Sequence, residues 1–438
     1  MNSKALTKIQ SLILIAIIAI AAVGGGAVYV LIPREEQKSE TIKIGVLDDL
    51  DGVTGKPNWQ AAKLAVEEIN AKGGLLGRQV ELFGADDDAG TDIIVRTNAL
   101  TKLITQNEVD FIVGRAAGSQ GFLVQDIIAE HKTAVFFGVG SGLADVTQRV
   151  SDEYNNYKYY FSVSFNDTSM KLGVTDSLIH IREMTGFNKI GYLVEDLGSN
   201  LDLMNALDDF LPENGFELVY KGRFPLGTVD FSSYFAVAEA AGVEILLPLI
   251  YRDEGIPFVK EYYDRQSPMV VFGGIDFLAS NPNGWEWTDG KCNYMSFSDY
   301  PTTTAYPFTS KTLQTRDAYM NKWGEPITFF AALTYDCIKF ILVDAVERAG
   351  TIDTDAVIEA LEETSVETSN ARNFVFTESH AVMMGKDAMN NPNADYPIVM
   401  GFQWQDGVQV PIDPKSVKEE AGASYMFPDW PGPWDDLN

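Results

Sequence analysis

Residues 42–90 read IKIGVLDDLDGVTGKPNWQAAKLAVEEINAKGGLLGRQVELFGADDDAG. Ile42–Leu47 is an apolar run of strand length, closed by the acids Asp48 and Asp49. From Trp59 to Asn70, Ala62, Ala65, Val66 and Ile69 recur at helical spacing, with Asn58 placed to cap the start. Gly73-Gly74 stops the helix, because glycine takes the left-handed conformation that ends one. Val80–Phe83 is a second strand and runs into Asp86–Asp88. Strand, helix and strand in this order make a βαβ unit and predict an α/β domain.

The same rhythm recurs outward from this unit. Phe111–Val113 and Ala134–Phe137 continue the first block as strands, with helices over Thr91–Thr105 and Gln120–His131. A second block places strands at Lys189–Val194, Glu217–Tyr220, Ile245–Leu249 and Met269–Phe272. Its helices fall at Met170–Thr185, Asn200–Glu213, Phe231–Ala241 and Ile256–Arg265. Alternation of this kind predicts parallel sheets covered on both faces, hence two doubly wound lobes. After Asp276 the pattern changes to a Trp-, Pro- and Thr-rich stretch. A long helix follows over Phe329–Ala349, ended by Gly350, then a shorter one near Thr354–Glu363. Pro397–Val410 reads as a hairpin turning at Asp406-Gly407.

At 438 residues the chain exceeds one ordinary core, and two domains of roughly 150–200 residues are expected. The formal charge is −29, from 62 acids against 33 bases. That balance opposes nucleic-acid binding, which needs clustered cations to displace counterions. Cys292 and Cys337 are the only cysteines, and His131, His180 and His380 are scattered, so no zinc-binding spacing exists. Two isolated buried thiols are expected, with a Cys292–Cys337 disulfide as the alternative in an exported protein. Lys4 and Lys8 precede an apolar run from Leu12 to Ile32 that is long enough to span a bilayer. The basic side stays inside, which places everything after Pro33 outside the membrane. Ala19-Ile20-Ala21 also fits a signal-peptide cleavage site, so an anchor and a cleaved leader both stay open. Arg34–Glu40 would be the tether. No cysteine lies near this segment to carry a lipid.

The ordered set IKIGVL, LAVEEINAKGG, GLLGR, Asp86–Asp88, TYDCIKFILVDAVERAG and Phe402–Gly407 resembles the type I periplasmic binding proteins of the leucine/isoleucine/valine-binding kind. The resemblance covers nearly the whole chain after residue 41. It implies three crossings between lobes. Residues 1–40 form the anchor or leader with its tether, 41–163 and 298–368 the first lobe, and 164–297 and 369–438 the second. It further implies capture of a small polar solute outside the cell and delivery to an ABC permease with its ATPase subunits. No cofactor and no catalysis are expected.

Ligands of open α/β sheets bind at strand carboxyl ends. Gly114–Ser119 and Gly138–Gly142 are small-residue loops at two such ends, able to bring backbone N–H groups near an anion. A tight βα turn with no ligand is the plain alternative for each. In the family these loops hold an amino-acid carboxylate, which makes Ser119, Gly140, Ser141 and Gly142 ligand candidates. The serines stand one place out of the family's register, and Leu197 replaces a common tyrosine. Tyr251 matches an aromatic that packs on the ligand, with a surface tyrosine as its alternative. Asp276 stands near the acid that takes the ligand's ammonium, although a carboxylate at a strand end also caps helices. Trp59 is placed to stack on a ligand or to pack in the core. These departures keep solute binding and put a branched-chain amino acid in doubt.

Gly52–Pro57 lacks the spacing and hydroxyl of a P-loop, and Asp48–Gly52 lacks the distal glutamate of an EF-hand. Gly138-Val139-Gly140 is no full dinucleotide fingerprint. Asp86–Asp88 reads as structural. Without a GxSxG elbow or a histidine–nucleophile pairing, a hydrolase has no support. A sensory ectodomain of the same fold is the rival reading, with a partner carrying the signal; an exported enzyme ranks below it.

Overall fold

The computed structural model describes residues 41–438 except 53–54, 89–91, 197–203, 205–206, 209, 251–253, 276–282, 305, 386–394 and 438. The Leu12–Ile32 run and part of the Asn200–Glu213 helix therefore lie outside the described residues. Among those described, no helix is long and apolar enough to cross a membrane.

The predicted βα rhythm folds into two sheets. Strands β1 (Ile42–Asp48), β2 (Val80–Asp86), β3 (Phe111–Gly114), β4 (Val135–Gly138) and β5 (Tyr160–Ser162) form a wholly parallel sheet in the order β2-β1-β3-β4-β5. Strands β6 (Lys189–Glu195), β7 (Glu217–Phe224), β8 (Ile245–Ile250), β9 (Val270–Ile275), β10 (Ser296–Asp299), β11 (Met400–Gln405) and β12 (Val408–Asp413) form the second. Its order is β12-β11-β10-β9-β8-β6-β7, and only the β10–β11 and β11–β12 pairs are antiparallel. β3, β4 and β8 are buried along their whole length, as strands covered on both faces must be.

The Gly55–Ala71 helix buries Ala61, Ala62, Leu64, Ala65, Val66 and Ile69, and Gly73 and Gly74 end it at positive φ. Asn58 does not cap it. The helix starts earlier, at Gly55, and Asn58 turns inward instead to donate to Asp48. Late segments close over this helix. Tyr319 donates to Gln60 Oε1 at 2.8 Å and Tyr335 to Glu68 Oε2 at 2.8 Å. The single helix expected over Phe329–Ala349 is continuous but widens to π geometry at Cys337–Leu342, which keeps Cys337, Ile338, Ile341 and Leu342 buried.

Two hydrophobic cores follow the sheets. One gathers residues from Ile42–Val163, Tyr300 and Tyr319–Met384; the other gathers Val174–Phe297, Phe308 and Ile398–Trp434. Residues 369–384, expected with the second lobe, sit with the first core. The open edge of β5 is the reason: Ser162 N–H donates to His380 O at 2.8 Å and Val382 N–H to Ser162 O at 2.9 Å. The His380 ring stacks on Phe161 at 4.0 Å, and Phe376 meets Phe161 at 4.9 Å. The hairpin turns at Asp406-Gly407, both at positive φ, and the tail buries Trp430 and Trp434 in the second core. Cys292 and Cys337 are free and buried.

Candidate functional site

In the first sheet β1 lies between β2 and β3, so the connections leaving β1 and β3 run to opposite sides. This is the topological switch point at which doubly wound sheets open a crevice. Asp48 ends β1 and is only 2% exposed. Asn58 Nδ2 donates to its Oδ2 at 2.7 Å, and the Asp49 N–H donates to its Oδ1 at 2.9 Å. Burial pushes this carboxyl above the ordinary aspartate range, opposed by the nearby Arg115 guanidinium and by those two hydrogen bonds.

Arg115 follows β3 directly and is half-buried. Its backbone N–H donates to Leu47 O at 3.2 Å, which locks the residue beside the end of β1. The guanidinium carbon stands 5.5 Å from the centre of the Phe330 ring, within cation–π range. Phe330 meets Phe329 at 4.8 Å, Phe329 stacks on Tyr300 at 4.6 Å, and Phe165 lies 5.5 Å from Phe329. Phe165 and Tyr300 belong to the first two chain passages between the sheets. A chain of aromatic contacts therefore runs from Arg115 to these two passages.

The two small-residue loops pair with one another. The Gly118 N–H donates to Ser141 O at 2.8 Å, Val139 N–H to Gly114 O at 3.0 Å, and Gly142 N–H to Phe165 O at 3.3 Å. Gly118 adopts φ +56°, and a Cβ on Gly140 would stand 3.1 Å from Ala117 N. Ser119, Gly140, Ser141 and Gly142 thus do meet at one end of the first sheet. Ser119 is exposed and Ser141 half-buried. The amides of Gly118 and Gly142, which sequence reasoning offered to a carboxylate, are already engaged by neighbouring loops.

Trp59 is set apart from this group. Its ring lies over β2, where a Cβ on Gly84 would come within 3.4 Å of it, and Lys63 Nζ sits 4.6 Å from the ring centre. The ring packs against the first core. Tyr251 and Asp276, like Leu197, lie outside the described residues.

At the carboxyl ends of the second sheet, Glu195 closes β6 and is fully buried. Glu254 precedes the Gly255–Arg265 helix and is 8% exposed. Its Oε1 accepts from the Gly227 N–H at 2.6 Å, whereas Oε2 accepts no hydrogen bond. The first lobe therefore brings the Arg115 guanidinium and the buried Asp48 carboxylate to its strand ends, and the second brings the carboxylates of Glu195 and Glu254.

Asp86–Asp88 have the structural role that their position suggested. Asp87 is completely buried and takes Arg96 Nε at 2.9 Å and Nη2 at 2.5 Å on its Oδ2, while Arg96 Nη1 donates to Gln120 Oε1. Asp86 Oδ1 accepts from the Asp88 N–H at 2.9 Å. Sequence reasoning did not single out Arg115, Asp48 and Glu254, which the structure places at or just beyond the strand ends. Arg115 carried a usable signal, since it is the one long side chain in the run Gly114–Ser119.

Comparison with known proteins agrees with this frame. Residues 41–389 match the family model described as periplasmic binding protein. The Leu/Ile/Val-binding protein homolog 7 of Brucella melitensis is 25% identical over 399 residues, 89% of this chain and 95% of that protein. Homolog 8 of the same organism is 24% identical and covers 86% of this chain and 91% of its own. Among solved structures, a putative branched-chain amino acid ABC transporter from Silicibacter pomeroyi superposes with a TM-score of 0.76 at 18% identity, over 89% of this chain and all (100%) of that one. LivJ of Streptococcus pneumoniae, a branched-chain amino acid transporter substrate binding protein solved with isoleucine, gives 0.65 at 18% identity, over 85% and 100%. The family match runs from residue 41 to residue 389, so it takes in the whole first sheet, β6 to β10 of the second and every described strand-end residue above, and the chain belongs to the periplasmic binding protein family.

Proposed function

We propose that this protein is the extracytoplasmic receptor of an ABC importer and captures a small polar solute, an amino acid, amide or related compound, between its two lobes. The observation that carries the reading is the gathering of buried charged and polar groups at the strand ends of a periplasmic-binding-protein fold. Arg115 and Asp48 stand at the ends of β3 and β1 in one sheet; in the other, Glu195 ends β6 and Glu254 precedes the helix that follows β8. A zwitterion or a polar amide offers groups of both kinds. Closure of the lobes about the hinge segments would bury the ligand and present a closed face to the permease, whose ATPase subunits supply the energy. Ser119, Ser141, Tyr251 and Asp276 belong to the proposed contact set. Trp59 is left to packing against β2. The Brucella relatives named for leucine, isoleucine and valine support an amino-acid class.

Lys4, Lys8 and the Leu12–Ile32 run support tethering on the outer face of the cytoplasmic membrane, or release after cleavage. The receptor turns nothing over. The test is a thermal-shift panel of amino acids, amides, urea, short peptides, polyamines and sugars on the full-length chain in mild detergent. A ligand at a hundred times its dissociation constant stabilises the fold by about 2.7 kcal/mol, a readable shift. A response confined to one chemical class supports a receptor. Chemical alteration of the ligand, seen by mass spectrometry, would replace this reading with an enzyme.

A further inference from the structure

We infer that the first lobe carries a small-molecule site outside the cleft, and that this site takes an organic cation, an alkylammonium or a guanidinium. The site is a cavity of about 330 Å3 lined by Tyr154, Glu362, Phe376, Thr377 and Glu378, within the size range of small-ligand sites. It flanks the edge of β5 that His380 and Val382 close, and it shares no residue with the strand-end loops of either sheet.

Its walls are fixed from beneath. Tyr154 OH donates to Glu362 Oε1 at 2.6 Å, and His380 Nε2 stands 3.0 Å from the same oxygen. The His380 ring is 1% exposed, stacks on Phe161 and meets the Tyr154 ring edge-on at 5.9 Å. Both contacts fall on Oε1 and set the direction of a carboxylate whose second oxygen takes no hydrogen bond among the described residues. Phe376 is held by Phe161 at 4.9 Å and by Phe374 at 5.2 Å, while Tyr154 keeps 37% of its surface exposed.

An oriented carboxylate beside aromatic rings suits a cation with a carbon skeleton. The carboxylate takes its N–H groups, and the rings take its charge and its apolar flank. The surrounding field has the matching sign. Glu378 stands on the wall, and burial together with Glu362, Asp355 and Glu359 raises the Tyr154 phenol above its ordinary value. Lys158 is bonded to Asp355 at 2.8 Å and does not line the cavity. Among the described residues no group of acids, histidines and cysteines could hold a metal ion, so the carboxylates here call for an organic cation. The plain alternative is a solvated acidic hollow, which predicts equal treatment of charged and neutral probes.

The experiment measures calorimetric binding of butylammonium, N-acetyl-lysinamide and N-acetyl-argininamide to the full-length chain in mild detergent, beside neutral butanol and N-acetyl-norleucinamide. The wild type binds at least one cation about tenfold or more tightly than its neutral counterpart, and Glu362→Gln weakens that cation about tenfold to a hundredfold, as expected for a charged hydrogen bond. Tyr154→Leu, which removes one aromatic wall, weakens it too. Urea midpoints of the variants verify folding. Should Glu362→Gln fail to fold, the exposed Glu378 decides, with Glu378→Gln costing about twofold to fivefold in affinity for the cation. Cation binding that survives these substitutions lies elsewhere, the cleft included, and overturns the inference. Equal binding of charged and neutral probes, or no binding of any, overturns it as well, and each of these results leaves the receptor reading standing.

Discussion

Asp336 gives the most quantitative prediction. It ends the Phe329–Asp336 helix, is 2% exposed, and accepts from the Ser369 N–H at 3.2 Å on Oδ1 and 3.1 Å on Oδ2, and from Asn370 Nδ2 at 3.0 Å on Oδ2. Asn370 Oδ1 in turn accepts from the Thr302 N–H at 3.1 Å, on the second passage between the sheets. Burial raises the Asp336 carboxyl from 3.8 to about 6, because these donors recover only part of the hydration lost. The folded protein therefore binds a proton here more readily than the unfolded chain. Stability attributable to Asp336 is then greatest below about 3.8 and falls as pH rises to about 6. At about 1.4 kcal/mol per pH unit, the whole effect is roughly 3 kcal/mol, most of it between pH 4 and 7.

Asp336→Asn removes the titration while keeping the shape. The other carboxylates titrate alike in both proteins and cancel in the difference. Urea unfolding from pH 4 to 7.5, followed by tryptophan fluorescence, should show wild-type stability relative to Asp336→Asn declining by two to three kcal/mol, that is ~2–3 kcal/mol. A flat difference would refute the reasoning, because it would mean that the hydrogen bonds fully replace water around the carboxylate. A difference that rises with pH would mean that they do more than replace it.

Three further outcomes test the frame around the site. Asp87→Ala leaves the Arg96 guanidinium, 2% exposed, without its buried counter-charge, and should cost about 3–5 kcal/mol in urea unfolding. Adding Arg96→Met to that variant should restore most of it, and additive losses would exclude coupling. Gly140→Val must displace Ala116 N and Ala117 N, which a Cβ would approach to 3.2 and 3.1 Å, at about 1–3 kcal/mol. Gly142→Ala meets nothing within 4 Å and should change the urea midpoint by less than about 0.5 kcal/mol equivalent. Cys292 and Cys337 are buried and free, and burial lifts the Cys292 thiol to about 12; a thiol reagent should therefore label neither in the native protein and both in denaturant.

The elements legible in the sequence are those whose pattern is local. Ile42–Leu47, Ile245–Leu249 and Gln120–His131 carry their own periodicity and their own stops, and each forms where the pattern places it. Two strands escaped notice for one reason. β5 is three residues long, and β10 reads Ser-Phe-Ser-Asp inside a Trp- and Pro-rich stretch. Neither has an apolar run, and each exists because partners on both sides complete its hydrogen bonds. The allegiance of residues 371–384 is similarly nonlocal, since it follows from an open strand edge more than 200 residues earlier that His380 and Val382 close (|i−j| = 220 for the His380–Tyr160 contact). Resemblance placed the late helices and the hairpin, but it could not place that edge.

Small residues at strand ends explain why the site was only half legible. A glycine after a parallel strand permits close approach of backbone, and the sequence does not say whether a ligand or another loop will use the space. Here the space beside Gly140 is used by Ala116 and Ala117, and the Gly118 and Gly142 amides continue the strand ladder past the ends of β3 and β4. The ladder makes these loops a rigid rim, and a rigid rim recognises through the side chains it projects. Arg115 follows β3 where β1 and β3 part, and its guanidinium lies over Phe330 in the helix that starts at Phe329. Glu254 leaves the second sheet with one carboxylate oxygen still open to a donor. On the proposed reading, side chains projected from these loops, more than the loop amides already bonded to one another, would set the solute class, and substitutions there would change it with the loops left as they are.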